Sequence, residues 1–186
     1  MRLEIRAIRR AVHRAAVAMW HSHHKPTVGE TFALGAFVDD KIVAAGVMGI
    51  PVAPALQDDR TWEVSRLAVG PDAPPYTASR LLGACGRVMT EAGITRQISY
   101  TRVDEPGTCY RAAGWTPVAY VKPGQHLTGN RAGRAIHAIG LFGSMYSPST
   151  EPIARVRWER GSRVSEDRDV EWDATARLWI PIRRAA

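Results

Sequence analysis

Chemistry-bearing side chains gather at a few places in this sequence. Glu63 lies in the run Trp62-Glu63-Val64-Ser65-Arg66-Leu67-Ala68-Val69, which has the apolar, β-rich character of a strand. A carboxylate on a buried strand face is costly unless it has a task, so Glu63 reads either as a general base or as a residue that faces solvent or pairs with Arg66. Tyr110 reads by itself as an aromatic packed on a sheet, while its neighbour Cys109 lacks an activating partner and reads as core. His21, His23 and His24 fall within four residues and suit a base relay, contact with an anionic acceptor, or a solvated helix end whose dipole favours histidine. No Cys, Asp or Glu at ligand spacing accompanies them, so no metal site is expected. Thr77 and Ser79 open a helical pattern, as a cap or as a helix start that receives an anion.

Charge narrows the partners. The 186 residues hold 25 Lys and Arg against 18 Asp and Glu, a net charge of +7, and 22 of the 25 cations are arginine. Codon usage can produce that bias, and so can a phosphate-bearing partner, because the guanidinium fork matches phosphate with two hydrogen bonds. Pro106 to Thr150 contains no Asp or Glu, against Arg111, Lys122, Arg131 and Arg134. An acid-free stretch of that length suits a surface that meets an anion, whether cofactor or polynucleotide.

The elements that position these residues follow from periodicity. Leu3 and Ile5 alternate with charges as a short strand, and Ile8, Val12, Ala15/Ala16 and Met19 recur at helical spacing up to Trp20. Thr31–Val38 and Ile42–Val52 read as a hairpin turning at Asp39-Asp40, and Trp62–Val69 as the next strand. Leu81, Leu82, Cys85, Val88, Met89 and Ala92 define a helix from Ala78 that Gly93 stops. Gln97–Thr101 is a strand, Glu105–Ala113 a short helix closed by Gly114, and Trp115–Val121 a strand. Residues Lys122–Pro152 form a long loop, Ile153–Trp158 the last core strand, and Gly161–Ala186 a charged tail with an apolar patch at Leu178, Trp179 and Ile182. The order β-α-β-β-β-α-β-α-β-β predicts a mixed α/β sheet in one domain over 1–160, with 122–152 inserted and 161–186 appended.

Other classes are excluded. The longest apolar run, Ile42–Leu56, is broken by Gly46, Gly49, Pro51 and Pro54 and is too short to span a bilayer. The N-terminus has no apolar h-region, and two cysteines make no disulfide framework, so a reduced, cytoplasmic setting is expected.

This order, with Trp62–Val69, the Ala78–Gly93 helix and Tyr110-Arg111-Ala112-Ala113-Gly114-Trp115, resembles the GNAT superfamily of acyl-CoA-dependent N-acyltransferases. The segments Trp20-His21-Ser22-His23-His24 and Arg155-Val156-Arg157-Trp158-Glu159 resemble a branch found in phages and mobile elements, grouped with Mom-type enzymes that acylate bases in DNA. The resemblance implies a mostly antiparallel sheet splayed at a cofactor cleft. It implies acetyl-CoA or another acyl-CoA as co-substrate, held by backbone groups at Leu67 and Val69 and by the turn at Tyr76, Thr77, Ala78 and Ser79, with Arg80 or Arg111 supplying charge. The family turn reads Arg/Gln-x-x-Gly-x-Gly/Ala. Here Tyr76 stands at the first glycine, Ala78 fits the second, and no basic residue precedes them. The resemblance makes Glu63 the base and Tyr110 the acid, with His21, His23 and His24 toward an acceptor that includes nucleobases in DNA; the acid-free stretch puts Arg131 and Arg134 at the same acceptor. Acetylation of a small-molecule or protein amine, and a non-catalytic nucleic-acid-binding protein on the same fold, are the alternatives.

Overall fold

The structure is a computed structural model that describes residues 2–21, 30–123 and 153–182. In chain order the elements are β1 (Leu3–Ala7), α1 (Arg10–Trp20), β2 (Glu30–Val38), β3 (Lys41–Gly49), a 3-10 turn (Pro54–Leu56), β4 (Thr61–Val69), α2 (Thr77–Glu91), β5 (Arg96–Arg102), α3 (Thr108–Ala112), β6 (Thr116–Val121), β7 (Arg155–Gly161), β8 (Val170–Asp173) and β9 (Leu178–Pro181). Strands one to seven form a sheet of order β1-β2-β3-β4-β5-β7-β6, and β8 and β9 form a separate two-stranded ribbon. Every pairing in the sheet is antiparallel except β4–β5. The α/β reading and its element order hold.

Local chemistry explains most boundaries. Asp39 and Asp40 both take positive φ, 46° and 62°, the backbone of a two-residue turn that matches the twist of β2 and β3. β3 ends at Gly49 rather than at the expected Val52, because Pro51 has no N–H to continue a ladder. The helix expected from Glu105 begins only at Thr108, behind Pro106 and Gly107. Gly107 has φ +66°, and a Cβ there would run into the Trp158 ring, so only glycine fits. β7 runs on to Gly161, past the expected Trp158, because Glu159 is buried with Arg96 at 2.6 Å and Arg157 at 3.0 Å.

Two layers flank the sheet. On one face α2 buries Leu81, Leu82, Cys85 and Met89 with Val64, Tyr110, Trp115 and Trp158. On the other, Val17 of α1 packs with Ala33, Val47 and Ala68. The segment read as a charged tail carries more structure than its composition suggests. Its ribbon inserts Val170 and Trp179, each 5% exposed, into the α2-side core, and the Trp179 indole donates to the Glu105 carbonyl at 3.0 Å.

Candidate active site

The sheet opens between β4 and β5. Their parallel pairing runs from Thr61↔Arg96 to Val64↔Ser99 and stops, while β4 continues to Val69 and β5 to Arg102. A register shift on the other side of β4 contributes to the divergence: Met48 pairs with Val64 and Val47 with Arg66, leaving Ser65 as the extra residue of a bulge. The main chain of Leu67 and Val69 lies beyond the last β5 pairing, at the open edge of this fork.

Glu63 stands one residue before the fork opens, on the face of the sheet that α1 covers further along. It is 5% exposed, so the solvent-facing reading fails. Its Oε2 accepts the Val52 N–H at 2.8 Å. Burial holds the carboxyl above its ordinary value, against the opposing pull of that N–H and of the Arg66 and Arg155 charges. The bulge re-phases β4 so that Glu63 and Arg66 share a face. Arg66 therefore favours the ionised form through its charge.

Tyr110 reaches the same fork from the opposite face. Its ring stacks on Trp158 at 5.2 Å and meets Trp115 edge-on at 5.9 Å. Its hydroxyl lies 2.9 Å from Ser99 Oγ, and Ser99 donates its single proton to the Val64 carbonyl at 2.8 Å. The phenol must therefore donate to Ser99. Burial raises the phenol's pKa, so the hydroxyl stays protonated. The ring packs on the sheet as an aromatic was expected to, and its hydroxyl proton lies beside the fork. Cys109 is half-buried and its thiol is raised by burial, in line with a structural role.

The start of α2 supplies the third part. Tyr76 takes a left-handed backbone, φ +66° and ψ 5°, and is 79% exposed. That conformation is the one a glycine adopts without steric cost, which explains why a glycine is usual at this place in the turn. The Thr77 and Ser79 hydroxyls bond back to the Pro74 and Tyr76 carbonyls, at 2.7 and 3.0 Å. Their side chains are thus engaged locally, and what the helix start offers is backbone N–H groups at Ala78 and Ser79 beside exposed Arg80. No acidic residue occupies the first turn, so the positive end of the helix dipole is not neutralised there. These features fit a pyrophosphate.

His21 caps the end of α1, its N–H bonded to the Val17 carbonyl at 3.0 Å. The neighbouring Trp20 ring closes on Gly70, which puts this helix end at the open mouth of the fork. His23, His24, Arg131 and Arg134 lie outside the described residues. Among the described residues no group of three His, Cys, Asp or Glu is placed to hold a metal, and no helix is long and apolar enough to cross a membrane.

A model of the Mom protein family matches residues 2–161. The chain belongs to the Mom protein family. The match covers every element of the fork and ends before β8 and β9. No curated protein sequence matches the chain. Among solved structures, the ribosomal-protein-S18-alanine N-acetyltransferase of Escherichia coli superposes with a TM-score of 0.59 at 10% identity, covering 89% of this chain and 97% of that one. An acetyltransferase of the GNAT family from Streptococcus pneumoniae gives 0.56 at 12% identity, over 86% and 99%. A Bacillus subtilis acetyltransferase in complex with CoA gives 0.53 at 11% identity, over 86% and 99%. This member of the Mom family therefore has the GNAT acetyltransferase fold, as its sequence elements implied.

Sequence reasoning missed Ser99 and the Val52 N–H. A signal for the first existed. Gln97, Ser99 and Thr101 alternate as polar residues on the buried face of β5, and each has a specific partner: Gly86 and Thr90, Val64 and Tyr110, and the Trp158 indole.

Proposed function

We propose that this chain transfers an acyl group, acetyl in the first instance, from acyl-CoA to an amino group of a nucleobase or modified nucleotide in DNA. The observation that carries the reading is the fork itself, with a buried carboxylate on one face and a protonated phenol on the other. Acyl-CoA would supply an activated acyl carbon and a thiolate leaving group. Glu63 takes a proton from the attacking amine as the C–N bond forms. Tyr110 gives its proton to the departing sulfur as the C–S bond breaks, and Ser99 keeps the phenol aimed at the fork until then. The first-turn N–H groups of α2 and Arg80 hold the pyrophosphate, and the main chain at Leu67 and Val69 takes the pantetheine amides. Support for a DNA acceptor comes from the +7 charge, the acid-free 106–150 stretch and membership of the Mom family.

The test is incubation of the protein with acetyl-CoA and duplex DNA, followed by nuclease digestion and mass spectrometry of the nucleosides. A nucleoside heavier by one acetyl group, dependent on both protein and acetyl-CoA, is the expected result. Thioester turnover on polyamines or peptides with unmodified DNA would move the acceptor to a small-molecule or protein amine. Salt-sensitive DNA binding with no affinity for acetyl-CoA would replace the enzyme by a binding protein.

A further inference from the structure

Tyr100 has no part in the chemistry above, yet its position singles it out. Glu63 pairs with Ile98 in the β4–β5 register, and the pairing ends one residue later. Side chains alternate along a strand, so Tyr100, two residues beyond Ile98, lies on the Glu63 face and on the other arm of the fork. Two residues along the strand and one strand across place the two backbones about 8 Å apart, a span a Tyr and a Glu side chain can close together. The ring is half-buried, and its hydroxyl makes no hydrogen bond with another described residue. Arg157 stands directly opposite on β7, and on the same face buried Glu159 pairs with Arg96 and Arg157. Among the described residues the Tyr100 hydroxyl has no hydrogen-bond partner and is open to solvent beside the buried base, so a donor stands at the fork for an incoming acceptor group.

We infer that Tyr100 is an acceptor-contacting residue: its phenol donates a hydrogen bond to a ring nitrogen adjacent to the amine that Glu63 deprotonates. The inference rests on the acyltransfer reading and makes its substrate class narrower. An amine conjugated to a ring nitrogen offers a donor and an acceptor side by side, as the exocyclic amines of adenine and cytosine do. The pair on the two arms of the fork is complementary to that arrangement, with the carboxylate facing the N–H and the phenol facing the ring nitrogen. An alkyl amine offers no such acceptor. The Tyr100 proton stays on oxygen throughout. The C–N bond forms, the C–S bond breaks, one amine proton passes to Glu63, and the thiolate takes its proton from Tyr110. Burial raises the Tyr100 pKa, and the Glu63 charge adds to that; Arg157 and Arg96 oppose it, and Glu159 reinforces it. The phenol is therefore a donor at neutral pH.

The experiment uses the full chain, acetyl-CoA and duplexes in which adenine is replaced by 1-deazaadenine or cytosine by 3-deazacytosine. Tyr100→Phe should lower kcat/KM on the ordinary duplex by about 10-fold or more while leaving the Kd for acetyl-CoA unchanged. The deaza analogue of the modified base should cost wild type a similar factor and cost Tyr100→Phe nothing further. A deaza penalty of the same size in both proteins, or full activity of Tyr100→Phe, overturns the assignment. Wild type that leaves every duplex unmodified overturns the acyltransfer-to-DNA reading itself, and the assignment with it. A spectroscopic alkaline titration adds a readout without turnover. One tyrosine signal, missing from Tyr100→Phe, should titrate at lower pH in Glu63→Gln, and no change there means the two groups do not face each other.

Discussion

A carboxylate that is 5% exposed and carries a raised pKa is an expensive residue to keep, and the expense can be measured separately from the chemistry. Burial holds the folded-state pKa of Glu63 above its unfolded value, so between the two values the native state retains a proton that the unfolded chain has lost. Stability therefore falls as pH rises through that window. Glutamine cannot ionise, yet its side-chain oxygen can still accept the Val52 N–H. Glu63→Gln should accordingly melt above wild type at neutral pH, with the gap closing below the unfolded-state value of about 4.3. The same substitution should lower kcat by about 10²-fold or more and remove the limb on which the rate rises with pH, because general-base assistance is worth about 10²–10⁴. Thermal melts at several pH values, paired with pH–rate profiles, check both. A variant that is less active but no more stable at neutral pH would mean that the carboxylate is better solvated than its burial implies.

At the scale of elements, the ribbon β8–β9 shows how strongly position overrides composition. Trp179 is 5% exposed, meets Trp158 edge-on at 5.4 Å, and ties its indole to Glu105 and its main-chain N–H to Val103 at 2.9 Å. Trp158 in turn stacks on Tyr110, so the ribbon is the outer wall of the pocket that holds the candidate acid. Trp179→Ala should cost about 3–5 kcal/mol, the usual range for emptying a buried tryptophan site, read as a lower urea midpoint with little change in slope. A loss under about 1 kcal/mol would mean that the ribbon does not dock as described. The ribbon was illegible in the sequence because each strand has four residues, too few for alternation to stand out amid Arg, Asp and Glu. Longer elements were legible: the Leu81–Met89 spacing predicts α2, and Asp39-Asp40 predicts the hairpin turn. The candidate site divides in the same way. Glu63, Tyr110 and the start of α2 announce themselves by residue type and by the order of neighbouring elements. Ser99 was signalled only by the polar alternation Gln97, Ser99, Thr101, and Tyr100 gains meaning only from the register of β5 against β4, which no local pattern encodes.

Across the whole molecule, the sheet separates two kinds of surface, and the fork joins them. The α2 face presents an uncompensated helix start suited to a cofactor's phosphates, while the α1 face carries Glu63, Tyr100 and the mouth beside His21, where the proposed acceptor would enter. A duplex is a large, uniformly anionic acceptor, and a chain of net charge +7 with no carboxylate from 106 to 150 suits it. Arg131 and Arg134 fall in that stretch, outside the described residues, so their part is testable by charge alone. Binding to duplex DNA should weaken as salt rises, and replacing both arginines by alanine should make the log–log salt slope shallower by about two units if each meets a phosphate. Acetyl-CoA affinity should not move, because its proposed phosphate site is the start of α2, remote in sequence from both arginines. If the stretch instead covers a small-molecule acceptor, the double substitution alters the acceptor KM and leaves the salt dependence as it was. Duplex affinity measured at several salt concentrations for both proteins separates these outcomes, and a flat slope in the wild type would already exclude DNA as the acceptor.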